Sequence, residues 1–222
     1  MFLRKFAVAA TALVSGLMAT TVAGIADPQP WEMSFQPAVT PVMERIEDFH
    51  RLLLYIIVAI SLFVLALLVW IVIRYNKRSN PIPSKTAHNT LIEVVWTIVP
   101  VIILVIIAIP SFKLLYYEAA IPTPDLKIEA IGKQWFWSYQ YPAANFTYDS
   151  LGLSDADAAK AKKPRLLGVD NPIYVPVNKV VEITTTGADV IHSWAVPAFG
   201  VKMDAVPGRL NNTWFKATKE GV

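Results

Sequence analysis

The sequence predicts a membrane-anchored chain of mixed α and β structure, with two transmembrane helices followed by an outward β-domain. Three observations predict it. Two uncharged apolar runs, residues 52–73 and 94–112, lie in the first half. Short alternating stretches punctuated by Gly and Pro fill the residues after Pro122. The composition lies between classes: 55% of the 222 residues are apolar and 17% charged, against about 45–50% and about 25% in soluble globular chains. That balance is too apolar for a soluble enzyme and too polar for a multi-span transporter. The net charge of +3 comes without a long basic run, which excludes nucleic acid as a partner. The absence of cysteine excludes a disulfide framework, a thiolate zinc site and a cysteine nucleophile within these residues.

Residues 1–26 read as a signal peptide. Arg4 and Lys5 form a basic start, residues 6–24 are uncharged and Ala-rich, and the small Gly24 and Ala26 precede Asp27. The apolar part exceeds the usual length of about 7–15 residues, so a retained first membrane helix is the alternative. A mitochondrial presequence would be Arg-rich and amphipathic, so the signal looks bacterial. Residues 27–51 form an outward N-terminal segment. Residues 52–73 are the first span, long enough to cross about 30 Å of hydrocarbon at about 1.5 Å per residue. The second span covers residues 91–116 and closes on Lys113, Tyr116 and Tyr117. Pro100 lies inside it and is expected to bend it, whereas Pro110 sits near its outer end.

Between the spans, loop 74–90 carries Arg74, Lys77, Arg78 and Lys85 and no acid, which places it in the cytoplasm. Both mature ends and the β-domain, residues 117–222, then face the periplasmic side of a bacterial inner membrane. Two spans cannot enclose a transport pathway, so they serve as an anchor that docks on a larger membrane partner.

In the outer domain, residues 126–130 alternate at period two and residues 180–186 are β-branched. Turn residues recur at Gly132, Pro142, Asp170, Gly187, Pro197 and Gly208. This spacing suggests a β-sandwich or a barrel. Residues 153–164 are polar and Ala-rich, either a short helix or a surface insertion. The densest aromatic stretch is GKQWFWSYQY, residues 132–141. On one strand Trp135, Trp137, Tyr139 and Tyr141 would share a face. Core packing is the ordinary reading of such a face, yet four large aromatics exceed what a small sandwich absorbs, so at least one is expected at an interface. Histidine occurs only as His50, His88 and His192, which excludes a multi-histidine metal site. An isolated histidine at a strand end is ordinarily structural, and composition alone would not single out His192.

Five stretches carry a resemblance: EVVWTIVP (93–100), GKQWFWSYQY (132–141), VDN (169–171), DVIHSWAVP (189–197) and KMDAVPGRL (202–210). Together with the two spans they resemble subunit II of haem–copper cytochrome c oxidase in its α-proteobacterial or mitochondrial form, over nearly everything after Pro41. The resemblance implies two antiparallel transmembrane helices followed by a cupredoxin-like Greek-key β-barrel. It implies a binuclear copper centre that accepts electrons from cytochrome c. The partners it implies are subunit I, cytochrome c, other oxidase subunits and the membrane. Haem and a further copper belong to subunit I, where oxygen is reduced to water and protons are pumped.

By the same resemblance, His192 is the first imidazole ligand of the copper centre, and Trp135 the exposed indole that receives the electron. Trp137 and Tyr139 are supporting aromatics at the docking surface. Asp170 and Asp189 attract the lysine-rich cytochrome, while Gln140 replaces a commonly acidic position. Glu93 matches the mouth of a proton-uptake channel into subunit I. On physical grounds alone, Glu93 is an anion favoured at a helix N-terminus. Asp204 resembles a residue near the subunit I interface, and Met203 is not a copper ligand.

The chain departs from the family at its end. After KEGV (219–222) the family runs into a final strand and a ligand loop with a pair of cysteines, a glutamate between them, a histidine and a methionine. The expectation is therefore a form shortened before that loop, inactive alone, holding one copper ligand and leaving an unpaired sheet edge. A copper-free quinol oxidase subunit II would be expected to lose His192 and Trp135 as well. A non-redox membrane-anchored β-domain, acting as an assembly or binding module, explains the topology but not the joint presence of residues 132–141 and 189–197.

Overall fold

The structure, a computed structural model, describes residues 29–221. The expected signal peptide, 1–26, lies outside them. The first helix, α1, runs Pro41–Arg74. The hydroxyl of Thr40 accepts the Met43 N–H at 3.1 Å, and Pro41 follows where a helical N–H would have no partner. Asn76 closes the helix by donating its side-chain amide to the main-chain oxygens of Val72 (3.2 Å) and Ile73 (2.9 Å). The 34 residues span about 51 Å at about 1.5 Å each, well beyond the hydrocarbon thickness, so the polar first turns stand above it.

Helix α2 runs Thr90–Ala119, capped by the Asn89 side chain on the Ile92 N–H (3.2 Å), and remains helical through Pro100 and Pro110. Both helices are long and apolar enough to cross a membrane, and their apolar windows are unburied. Such surface is sustainable in lipid and not in water.

Strands β1 (Leu126–Lys133), β2 (Phe136–Tyr141) and β3 (Phe146–Leu151) form an antiparallel meander. The connection to β4 (Val181–Gly187) includes α3 (Asp155–Ala161), which resolves the polar stretch at 153–164 as a short helix capped by Ser154. Strand β4 returns parallel to β1, and β7 (Asn211–Phe215) pairs antiparallel with β4. The sheet order is β3-β2-β1-β4-β7. A separate hairpin, β5 (His192–Val196) with β6 (Val201–Ala205), packs across it.

Between the layers lie Ile128, Ala130, Val181, Ile183, Trp194, Val201 and Phe215. The alternation read at 126–130 thus continues to Lys133, with Ile128 and Ala130 inward. The five-stranded sheet does not close into a barrel: β3 and β7 are its edges.

One expectation is corrected here. Residues 132–141 are not one strand but the end of β1, a two-residue turn at Gln134 and Trp135, and β2. The register pairs Lys133 with Phe136, which removes Trp135 from the face it was expected to share with Trp137 and Tyr139.

The anchor is bolted to this domain at both outer ends. Thr40 Oγ1 donates to the Phe199 oxygen at 2.7 Å, Val39 N–H to the Ala198 oxygen at 3.2 Å, and Thr218 N–H to the Val39 oxygen at 2.9 Å. Gly200 sits at φ 70°, where an added Cβ would also press on the Met43 backbone at 3.1 Å. From α2, Tyr117 meets Trp214 edge-on at 5.5 Å and carries Arg45 of α1 over its face at 3.8 Å. The start of α1 and the end of α2 therefore meet at the same domain, and the two helices run antiparallel.

Candidate functional site

The parallel strands β1 and β4 end side by side, with Gly132 opposite Gly187. Beyond them the β1–β2 turn and the β4–β5 loop converge. Trp135 stands at the tip of the turn, 88% exposed. His192 opens β5, and its ring lies directly on Gly132. A Cβ there would come within 2.7 Å of the imidazole Cγ and Cδ2, so glycine is required by close approach. Trp137, next on β2 and paired with Gly132, meets the imidazole edge-on at 6.0 Å.

Asp189 completes the arrangement. Its Oδ1 lies 2.6 Å from His192 Nε2, and its Oδ2 accepts the Gln134 N–H at 2.7 Å. The bond from His192, followed by that from the Val190 N–H, holds the Asp189 carboxyl well below the usual range, at about 2. The same carboxylate accepts the Val190 and Gln134 N–H groups, and a proton on His192 Nε2 would complete its set of donors.

The other predicted residues fall elsewhere. Asp170 is exposed beside a shallow cleft of about 550 Å³ with Tyr141, Phe146, Tyr148 and Tyr174, and its Oδ1 accepts the Leu151 N–H at 2.8 Å. Tyr139, expected among the docking aromatics, is a core residue at 7% exposure. Its hydroxyl accepts the Trp194 indole N–H at 3.1 Å, and burial raises its pKa against that bond. It can support β2 from beneath but offers no contact surface, a correction that follows from the inward side of β2. Glu93 lies in the first turn of α2, where its main-chain oxygen accepts from Thr97 Oγ1 at 2.8 Å. Asp204 points out from β6, while its main-chain oxygen takes the Thr185 hydroxyl at 2.9 Å.

Sequence reasoning missed the seat at Gly132 and the bond from Gln134 to Asp189. A glycine set in an aromatic strand motif was the available signal for the first. The second joins residues 55 apart and has no local signature.

The donor chemistry can be tested for a copper pair. Imidazole suits copper, and bridging two coppers calls for thiolates. The sequence has no cysteine, and among the described residues no cluster of three or more His, Cys, Asp or Glu could hold a metal ion. His192 fits as one donor, and the set as a whole does not suffice for two metals.

Fold and site define a class: a two-helix membrane anchor carrying an open β-sandwich, with one imidazole and one exposed indole at a shared strand end. Residues 28–114 match the family described as cytochrome c oxidase subunit II, transmembrane domain, and residues 126–222 match cytochrome c oxidase subunit II, periplasmic domain. A protein of Rickettsia bellii, named probable cytochrome c oxidase subunit 2, is 51% identical over 197 residues, covering 88% of this chain and 73% of the relative. One of Rickettsia conorii with the same name is 48% identical over 98% of this chain and 69% of its own length. The cytochrome c oxidase subunit 2 of Triticum aestivum is 44% identical over 87% of this chain and 77% of its own length. The chain belongs to the cytochrome c oxidase subunit II family, so its outer domain is cupredoxin-like and the chain is a membrane-bound subunit of an oxidoreductase complex.

Proposed function

We propose that this chain is the electron-accepting subunit of a cytochrome c oxidase, taking single electrons from cytochrome c at Trp135. The observation that carries the proposal is one construction: an 88% exposed indole on a turn that a single carboxylate ties to His192. Exposure lets Trp135 touch a docked protein, and Trp137, on β2, meets the His192 imidazole edge-on. Asp170 and Asp189 supply negative charge toward a lysine-rich partner, a steering effect that salt weakens.

His192 would serve as one donor of the binuclear copper centre, and the sequence holds no thiolate to bridge a second copper. A copper centre there would supply one-electron storage with His192 as one donor, and oxygen reduction and proton pumping belong to subunit I. Glu93 marks the cytoplasmic mouth of a proton-uptake path, and Asp204 faces subunit I. Residues 1–26 act as a signal peptide. Loop 74–90 lies in the cytoplasm, and the β-domain lies on the periplasmic side of a bacterial inner membrane.

Stopped-flow mixing of reduced cytochrome c with the assembled oxidase tests the reading. Glu93→Gln is expected to slow proton uptake while leaving cytochrome docking intact; normal turnover and a normal reductive phase would reduce Glu93 to a helix-end residue.

A further inference from the structure

We propose that Asp189 is a positioning residue whose carboxylate registers the His192 imidazole on the turn that carries Trp135. Oδ1 takes the imidazole Nε2 side at 2.6 Å and the Val190 N–H at 2.6 Å, and Oδ2 takes the Gln134 N–H at 2.7 Å. Because the carboxylate accepts only, the ring carries its proton on Nε2 and keeps the Nδ1 lone pair free. Gly132 lies under the ring and Trp137 beside it, so the imidazole cannot turn over without losing its bond to Asp189.

Gln134 immediately precedes Trp135 in the same two-residue turn, so the bond to its N–H fixes the backbone that carries the indole. One side chain therefore sets both the tautomer of the ring and the placement of the indole relative to it. Outer partners of this kind typically matter by about 10–100-fold in activity. This role is added to steering: both oxygens already accept from donors of this chain, while the side chain stays 32% exposed. It rests on the reading of Trp135 and His192 given above and adds the residue that joins them.

Asp189→Glu and Asp189→Ala separate position from charge, since glutamate keeps the charge and displaces the carboxylate by one methylene. The full chain, ¹⁵N-labelled at its three histidines, is read in detergent by long-range nitrogen–proton NMR. Assembled oxidase with the same substitutions is read by hydrogen exchange over residues 130–137 and by kcat and KM for cytochrome c.

The wild type is expected to show His192 protonated at Nε2. Both variants are expected to lose that single tautomer, to exchange the Gln134 amide about tenfold faster, and to lose about 10–100-fold in kcat, with KM unchanged for Asp189→Glu. An unaltered tautomer and unaltered exchange in Asp189→Ala would overturn the proposal. So would a normal kcat in Asp189→Glu with only KM changed in Asp189→Ala, which would leave Asp189 a steering charge and nothing more. If oxidase with the wild-type subunit fails to oxidise cytochrome c, the reading under Proposed function falls, and the tautomer and exchange results still decide the role of Asp189.

Discussion

The indole N–H of Trp214 donates to the main-chain oxygen of Glu118 at 3.1 Å, which fastens strand β7 to the outer end of α2. The bond spans 96 positions of sequence and satisfies a carbonyl near the end of a helix, where the chain itself offers no donor. It makes the anchor and the β-domain a single packed body at this corner. Replacing Trp214 by Phe keeps an aromatic ring against Tyr117 and removes the donor. The expected loss is about 0.5–1.5 kcal/mol of stability, the net worth of one hydrogen bond. Chemical unfolding in detergent reads it, together with faster proteolysis at residues 120–125; identical curves would show the contact to be incidental.

Inside the domain, Tyr139 offers its hydroxyl to Trp194 at 3.1 Å in a buried setting. Tyr139→Phe leaves the Trp194 N–H without its acceptor, which costs about 1–3 kcal/mol, more than the bond itself contributes. A melting curve unchanged by Tyr139→Phe would mean that the core relaxes to give Trp194 another acceptor.

Gly132→Ala places a methyl group within 2.7 Å of the His192 ring. The ring is held at its far side by Asp189 and cannot simply retreat. Overpacking of this kind costs about 1–3 kcal/mol, and the imidazole should shift. The nitrogen resonances of His192 are expected to move while those of His50 and His88 stay in place. Unmoved His192 resonances would show that the backbone, not the ring, gives way.

Asp125 supplies a pH dependence. Its Oδ2 accepts the Val180 N–H at 2.9 Å and its Oδ1 the Lys179 ammonium at 3.2 Å, clamping the starts of the parallel strands β1 and β4. The Val180 bond foremost, then Lys179, lowers its pKa in the folded chain. A carboxyl lowered on folding stabilises the fold above the ordinary value of about 3.9, and that contribution disappears as pH falls through the lowered folded value. The stability difference between wild type and Asp125→Asn should therefore be present at neutral pH and vanish in strong acid. A difference that persists undiminished in acid would assign the clamp to something other than the carboxylate charge.

The anchor was legible in the sequence wherever apolar character alone makes structure. Residues 52–73 and 94–112 carry no charge, and both lie within the helices found. The start of α1 was not legible, because Thr40, Pro41 and Met43 form it by capping and by packing on Phe199 and Gly200, which is tertiary information. Strands β1 and β4 declared themselves through alternation and β-branching. The open sheet and the turn at Trp135 did not, since both depend on register with distant strands. At the site, the resemblance singled out His192 and Trp135, but Tyr139 turned inward, and the link through Asp189 appears only when two loops are brought together.

The most direct measurement is the rate at which reduced cytochrome c delivers its electron to assembled oxidase carrying Trp135→Gln in this subunit. The account predicts electron uptake slowed by about tenfold or more, at least about 1.4 kcal/mol of activation free energy, with the binding of cytochrome c retained. Uptake at the wild-type rate, with the exposed indole gone, would contradict it.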